Sequence, residues 1–200
     1  ISPENQVVVY DDTSGFFASR LWWLLRTLGH NAVAVLDGGI QAWEAQGLTL
    51  DQSTPAHTQS TFAAAMNTET WVATDGIQQG LQAQNLLLID ARARERFEGI
   101  SEPIDPIAGH IPGSVNLPST DNLDENGHFL PADRIRENYL AVMGDFPSQQ
   151  AVHSCGSGVF ACFGVLAMEY AGLPGSKIYP GSWSEWIRDP ARPIASFQEK

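Results

Sequence analysis

The chain has 200 residues, 43% of them hydrophobic and only 17% charged, enough for one generous domain or one domain and part of a second, since domains run about 100–150 residues. Its formal net charge of −12, with no basic run, excludes nucleic acid and anionic membrane surfaces as partners, because both demand clustered Lys and Arg, but leaves small anionic substrates open, because a local positive site outweighs distant, screened charge. No apolar run approaches a membrane span, Ile1–Asn5 has neither the basic start nor the apolar core of a signal peptide, and two cysteines make no disulfide scaffold, so the expected setting is reducing and cytoplasmic.

Along the chain, an apolar strand is predicted over Gln6–Tyr10, then a Gly/Ser turn and an apolar helix over about residues 15–28. Gly29 closes that helix, since glycine accepts the left-handed conformation just past a helix end. A short strand follows over Ala32–Leu36, then a Gly-rich turn and a short helix bearing Trp43. Residues 51–60, rich in Ser, Thr and Pro, read as a linker. Beyond them a helix is predicted over Asp75–Gln84 and a buried strand over Leu86–Asp90. A helix begins at Arg92–Phe97, Gly109–Gly113 forms a turn, Val115–Leu117 is a strand and Ala132–Val142 a helix. The chain then repeats its opening: strand Ala151–Ser154, a Gly/Ser turn, a helix over about 158–171 closed by Gly172, strand Lys177–Tyr179 and a short helix bearing Trp186. Strand, helix and strand at this spacing imply an α/β fold with a parallel sheet and right-handed crossovers.

The repetition is literal. Val7–Trp43 slides onto Gln150–Trp186 without a gap, and Val9, Ser14, Gly15, Phe17, Ala18, Gly29, Gly38 and Trp43 fall on Val152, Ser157, Gly158, Phe160, Ala161, Gly172, Gly181 and Trp186. Asp12 falls opposite Cys155. Residues 61–200 therefore read as a complete α/β domain and residues 1–50 as the C-terminal half of a second copy. Half a parallel sheet exposes backbone edges and an apolar face, so the expectation is a fragment whose first half has been lost or sits on another chain, and that half is an expected partner.

The loop His153-Ser154-Cys155-Gly156-Ser157-Gly158-Val159-Phe160-Ala161 joins a buried strand to a helix. Gly156 and Gly158 permit unusual backbone angles, so that successive amides turn inward as an anion-binding nest, and the helix adds its positive end. A sulfur at Cys155 in that field is expected to have a lowered thiol pKa and to hold a stable persulfide, with the Ser157 hydroxyl beside it. Without the turn Cys155 reads as an ordinary buried cysteine, and Cys162 reads that way regardless. His110 and His153 read as structural, as do Trp22, Trp23, Trp183 and Trp186; the two cysteines lack zinc spacing, so no metal is expected, and a persulfide carrier needs no organic cofactor.

The loop Cys155–Cys162 resembles the active-site loop of 3-mercaptopyruvate sulfurtransferases. Asp90-Ala91-Arg92, Arg96-Phe97, Gly109–Asn116 and Gly181–Trp186 are similar to the frame of the tandem rhodanese-domain sulfurtransferases, and Val8–Asp12 with Leu36–Gly39 to their inactive half. The resemblance implies a rhodanese-like fold, a silent first domain with Asp12 where the cysteine stands, and Cys155 as the sulfur carrier. It implies substrate binding by Arg96, Gly156, Gly158, Val159 and Phe160, Ser157 as proton relay, and a thiol acceptor such as thioredoxin, or cyanide. A loop without basic residues suits the monoanion 3-mercaptopyruvate, whose carboxylate calls for an arginine, better than the dianion thiosulfate. The second arginine usual in mercaptopyruvate enzymes is missing from Glu102-Pro103-Ile104-Asp105-Pro106, which keeps a thiosulfate:cyanide sulfurtransferase as the alternative. A persulfide relay without turnover is a further alternative. A cysteine phosphatase is disfavoured, because Ala161 and Cys162 stand where the phosphate-clamping arginine would be needed.

Overall fold

A computed structural model describes residues 1–54, 56 and 58–197, so the predicted linker over 51–60 lies partly outside the described residues. The elements run β1 (Val7–Val9), α1 (Ala18–Thr27), β2 (Val33–Val35), α2 (Gly39–Ala45), α3 (Thr74–Gln82), β3 (Leu87–Asp90) and α4 (Arg94–Phe97). They continue with β4 (Val115–Asn116), α5 (Ala132–Met143), β5 (Ala151–Ser154), α6 (Ala161–Tyr170), β6 (Lys177–Ile178) and α7 (Ser182–Trp186). β1 pairs in parallel with β2, and a second sheet has the order β4-β3-β5-β6, parallel throughout. The fold is thus α/β, with parallel sheets flanked by helices. No helix among the described residues is long and apolar enough to cross a membrane.

β3 and β5 are buried on both faces, as their continuous apolar runs require. Their register, Leu87↔Ala151 to Asp90↔Ser154, splits the side chains between two layers. Leu87, Ile89 and Ala151 meet α5 and α6, while Leu88 and Val152 meet Ile77, Trp183 and Trp186. α6 is apolar on nearly every side and is accordingly packed on every side, by β5, by α5 and by α1. The last contact ties the first repeat to the second: Trp22, Trp23 and Leu25 share one apolar cluster with Cys155, Cys162 and Val165.

Two expectations shift. α1 and α6 begin at Ala18 and Ala161, three residues late, because the residues before them form the turns. The helix expected from Arg92 is the single turn α4, which stops where Gly99 turns the chain at a φ of +81°.

His153 faces away from the loop, as alternation along a strand demands. It is 1% exposed, packed edge-on to Tyr139, with Nε2 3.2 Å from the Met168 sulfur. Burial pushes its pKa down to about 3. The unfolded chain binds this proton near the ordinary histidine value of about 6.5 while the native state refuses it. Stability is therefore expected to fall by up to about 1.4 kcal/mol per pH unit as pH drops from ~6.5 towards the native value. Denaturant melts of the wild type and His153→Gln across that window check this: the slope should flatten in the variant.

Candidate active site

β5 lies between β3 and β6, and parallel sheets place ligands beyond the C-terminal ends of such strands. Cys155 stands there, 4% exposed, in a cavity of about 400 Å³ lined also by Arg96, Asp105, Ser157 and Phe160. The N–H of Gly158 donates to Cys155 Sγ at 3.1 Å, and the amides of Ser157 and Ala161 also face the sulfur. Gly158 holds a φ of +79°, and a Cβ there would run into the carbonyl oxygen of Pro180. The segment that opens α7 fixes the loop from behind. Ser182 Oγ accepts the N–H of Cys155 at 3.1 Å, Trp183 N–H donates to the Cys155 carbonyl at 3.0 Å, and Ser184 N–H to the Gly156 carbonyl at 2.8 Å.

The nest is as expected, but its effect on the thiol is not. Burial pushes the Cys155 pKa up and the Asp90 carboxylate adds to the rise, while the three amides oppose it without prevailing. The expected lowering neglected how deep the sulfur lies. Gly156 also differs from expectation. Its φ is outside the left-handed region, and a Cβ there would meet only ordinary contacts, 3.5 Å from Arg96 Nη2 and 3.6 Å from Asp105 Oδ2. Of the expected site residues, Ser157, Val159 and Phe160 line the cavity with Cys155 and Gly156. The Ser157 side chain is exposed at its rim and has no hydrogen bond to the sulfur among the described residues.

Arg96 reaches the cavity from α4. Its Nε donates to both Glu102 oxygens at 3.0 Å, and its Nη2 lies 2.7 Å from Glu102 Oε1 and 3.2 Å from Asp105 Oδ2. Nη1 has no hydrogen bond among the described residues. Burial raises the Glu102 pKa, but the Arg96 hydrogen bonds and the backbone amides of Asp105 and Ile104 outweigh it, so the carboxyl stays ionised. Arg92 is closed off by Asp90 at 2.8 Å, Glu102 at 3.3 Å and the Gly109 carbonyl at 2.7 Å, with its guanidinium over Trp183. Arg94 is exposed and does not line the cavity, so neither replaces the missing second arginine. His110 is a turn residue, stacked at 3.9 Å on Phe97, with Nδ1 2.8 Å from the Phe97 carbonyl.

Sequence reading missed a wall and a carboxylate. Phe16 and Phe17, from the first repeat, line the cavity and pack on Phe160 with ring centroids 4.8 and 5.5 Å away. The match of Phe17 to Phe160 was the available signal. In the first loop the expected carboxylate is Asp12, opposite Cys155, but its neighbour Asp11 enters the nest. Asp11 accepts the N–H groups of Thr13, Gly15, Phe17 and Ala18 at 2.7–2.9 Å. Burial raises its pKa, but the four amides outweigh that and hold it low.

A model of the family described as rhodanese-like domain matches residues 2–46 and 73–189, and the chain belongs to that family. Within it, relatives similar over most of the chain carry sulfurtransferase names. A Pseudomonas aeruginosa protein named "Probable 3-mercaptopyruvate sulfurtransferase" is 44% identical over 96% of this chain and 68% of its own length. Human 3-mercaptopyruvate sulfurtransferase is 37% identical over 93% and 64%, and mouse thiosulfate sulfurtransferase 35% over 94% and 65%. The chain thus spans about two thirds of the length of these relatives. Among solved structures, the Tum1 protein of Saccharomyces cerevisiae superposes with a TM-score of 0.84 at 29% identity, covering 98% of this chain and 71% of that one.

Proposed function

We propose that the chain moves sulfane sulfur from 3-mercaptopyruvate, through a persulfide on Cys155, to a thiol acceptor such as thioredoxin, with cyanide serving as acceptor in assays. The observation that carries this reading is Cys155 Sγ under the Gly158 N–H at 3.1 Å, in a cavity that Arg96 also lines. The names of the relatives support the same chemistry. The donor carboxylate lies against Arg96, and its thiol sulfur meets Cys155. As the sulfur–sulfur bond forms, the donor's carbon–sulfur bond breaks and pyruvate leaves as its enolate. Because the free thiol is held protonated, its proton leaves only as the donor reacts and ends on the enolate carbon, with the Ser157 hydroxyl as relay. Net, thiol and donor give pyruvate and a persulfide that still carries the donor's sulfhydryl proton, with no proton taken from solvent; release of that proton to solvent leaves the persulfide anion. The persulfide anion then rests on the amides of Ser157, Gly158 and Ala161, as an oxyanion hole holds developing charge.

Thiosulfate as donor is the second reading, favoured by the name of the mouse relative. Intact mass spectrometry after incubation with each donor separates the two. One extra sulfur on Cys155, gained faster from mercaptopyruvate, is the expected result. Loading from thiosulfate alone would overturn the donor, and loading from neither would overturn the assignment.

A further inference from the structure

We infer that Asp105 is a specificity-determining residue, which shares the Arg96 guanidinium with the incoming donor and so selects singly charged sulfur donors over doubly charged ones. The inference rests on the persulfide reading of Cys155. It starts from a charge inventory of the cavity. Two guanidinium groups, Arg92 and Arg96, line it among the described residues, and the loop over 156–160 adds no cation. Arg92 is enclosed by Asp90, Glu102 and the Gly109 carbonyl, with its side chain 1% exposed. Glu102, 3% exposed, bridges Arg92 and Arg96. Three carboxylates, Asp90, Glu102 and Asp105, thus face two guanidinium groups, and the unmatched negative charge is Asp105.

Asp105 is also fixed. Ser184 Oγ donates to Oδ1 at 2.7 Å and Arg96 Nη2 to Oδ2 at 3.2 Å, with the side chain 9% exposed. Oδ2 lies 3.6 Å from where a side chain at Gly156 would begin, so the carboxylate abuts the loop that carries the reacting sulfur. An anion approaching Arg96 Nη1 must share that cation with Asp105. A donor with one carboxylate uses the remaining face of Arg96 and presents a thiol to Cys155. A dianion brings a second charge that meets no second cation and lies within reach of Asp105, where burial limits screening. Discrimination on the order of tenfold per unit of donor charge is the scale expected for such a contact.

The test compares kcat/KM for 3-mercaptopyruvate and thiosulfate in the wild type, Asp105→Asn and Asp105→Glu. Asp105→Asn should raise the thiosulfate value about tenfold relative to the mercaptopyruvate value, while Asp105→Glu keeps the wild-type ratio. Persulfide off-loading to dithiothreitol, an uncharged acceptor, should move less than about twofold, since it uses no donor charge. Ser184→Ala strips Asp105 of a hydrogen bond and should shift the ratio the opposite way, which keeps the inference testable if Asp105→Asn unfolds. Equal changes for both donors, or an unchanged ratio in both Asp105→Asn and Ser184→Ala, would overturn it. Failure of the wild type to load sulfur from either donor is a distinct result, which removes the persulfide reading and this inference together.

Discussion

Replacement of Cys155 by serine is expected to abolish sulfur loading, by at least about a thousandfold, while Cys162→Ser retains most of it. A serine oxygen in the Gly158 amide contact forms no persulfide, so nothing in the cavity carries the sulfur between half-reactions. Cys162 is fully buried, does not line the cavity, and donates its S–H to the Gly158 carbonyl at 3.6 Å. Burial pushes its pKa to about 11, against a weak 3.7 Å contact from Arg20 that lowers it. Its replacement buries a hydroxyl in an apolar cluster and should cost roughly 1–2 kcal/mol of stability, with little effect on turnover. The same variants allow a check of the raised Cys155 pKa. Alkylation of the free protein should be slow at neutral pH and still accelerating above the ordinary cysteine range, in the wild type and in Cys162→Ser alike. Equal loss of loading from the two cysteine variants would remove Cys155 from its role.

Gly158→Ala is expected to be the most damaging single-methyl change in the loop. The residue is held in the left-handed region at +79°, which costs a side-chain-bearing residue roughly 1–2 kcal/mol. Its Cβ would also strike a backbone atom, the Pro180 carbonyl oxygen, which cannot rotate aside as a side chain can. Together these should destabilise the protein by about 3 kcal/mol or more. The shift also withdraws the N–H that contacts the sulfur, so loading should fall with stability. Gly156→Ala is the control. It meets only ordinary contacts with Arg96 and Asp105 and should fold normally, with its effect confined to donor KM. Urea midpoints and loading rates for both variants decide the matter. If Gly158→Ala matches the wild type in both, the loop is not held by this contact.

What the sequence made legible is what local chemistry dictates. A buried strand, a Gly-Ser-Gly turn and an apolar helix have few ways to fold, and Cys155 stands where that turn brings the amides of Ser157, Gly158 and Ala161 round a side chain. The place of Arg96 on the cavity was legible through its motif, and the enclosed settings of Arg92 and His110 through their strand-end and turn positions. The thiol pKa was not, because the apolar cluster that buries the sulfur is assembled from Trp22, Trp23 and Val165, distant in sequence. Asp105 and Ser184 meet from residues 79 positions apart, out of an irregular segment with no periodicity to read. A gapless alignment also counts residues without seeing where side chains turn. It matched Asp12 to Cys155, whereas the backbone sends Asp11 into the amides.

That substitution has a consequence for the working loop. With a carboxylate anchored across Thr13, Gly15, Phe17 and Ala18, the first turn is saturated from within and keeps its shape whether or not a donor is bound. Phe16 and Phe17 ride on that turn, and through Phe160 they bear on the far end of the Cys155 loop. The first turn thus serves as a preorganised buttress for the loop that carries Cys155, its own amides taken up by an internal carboxylate.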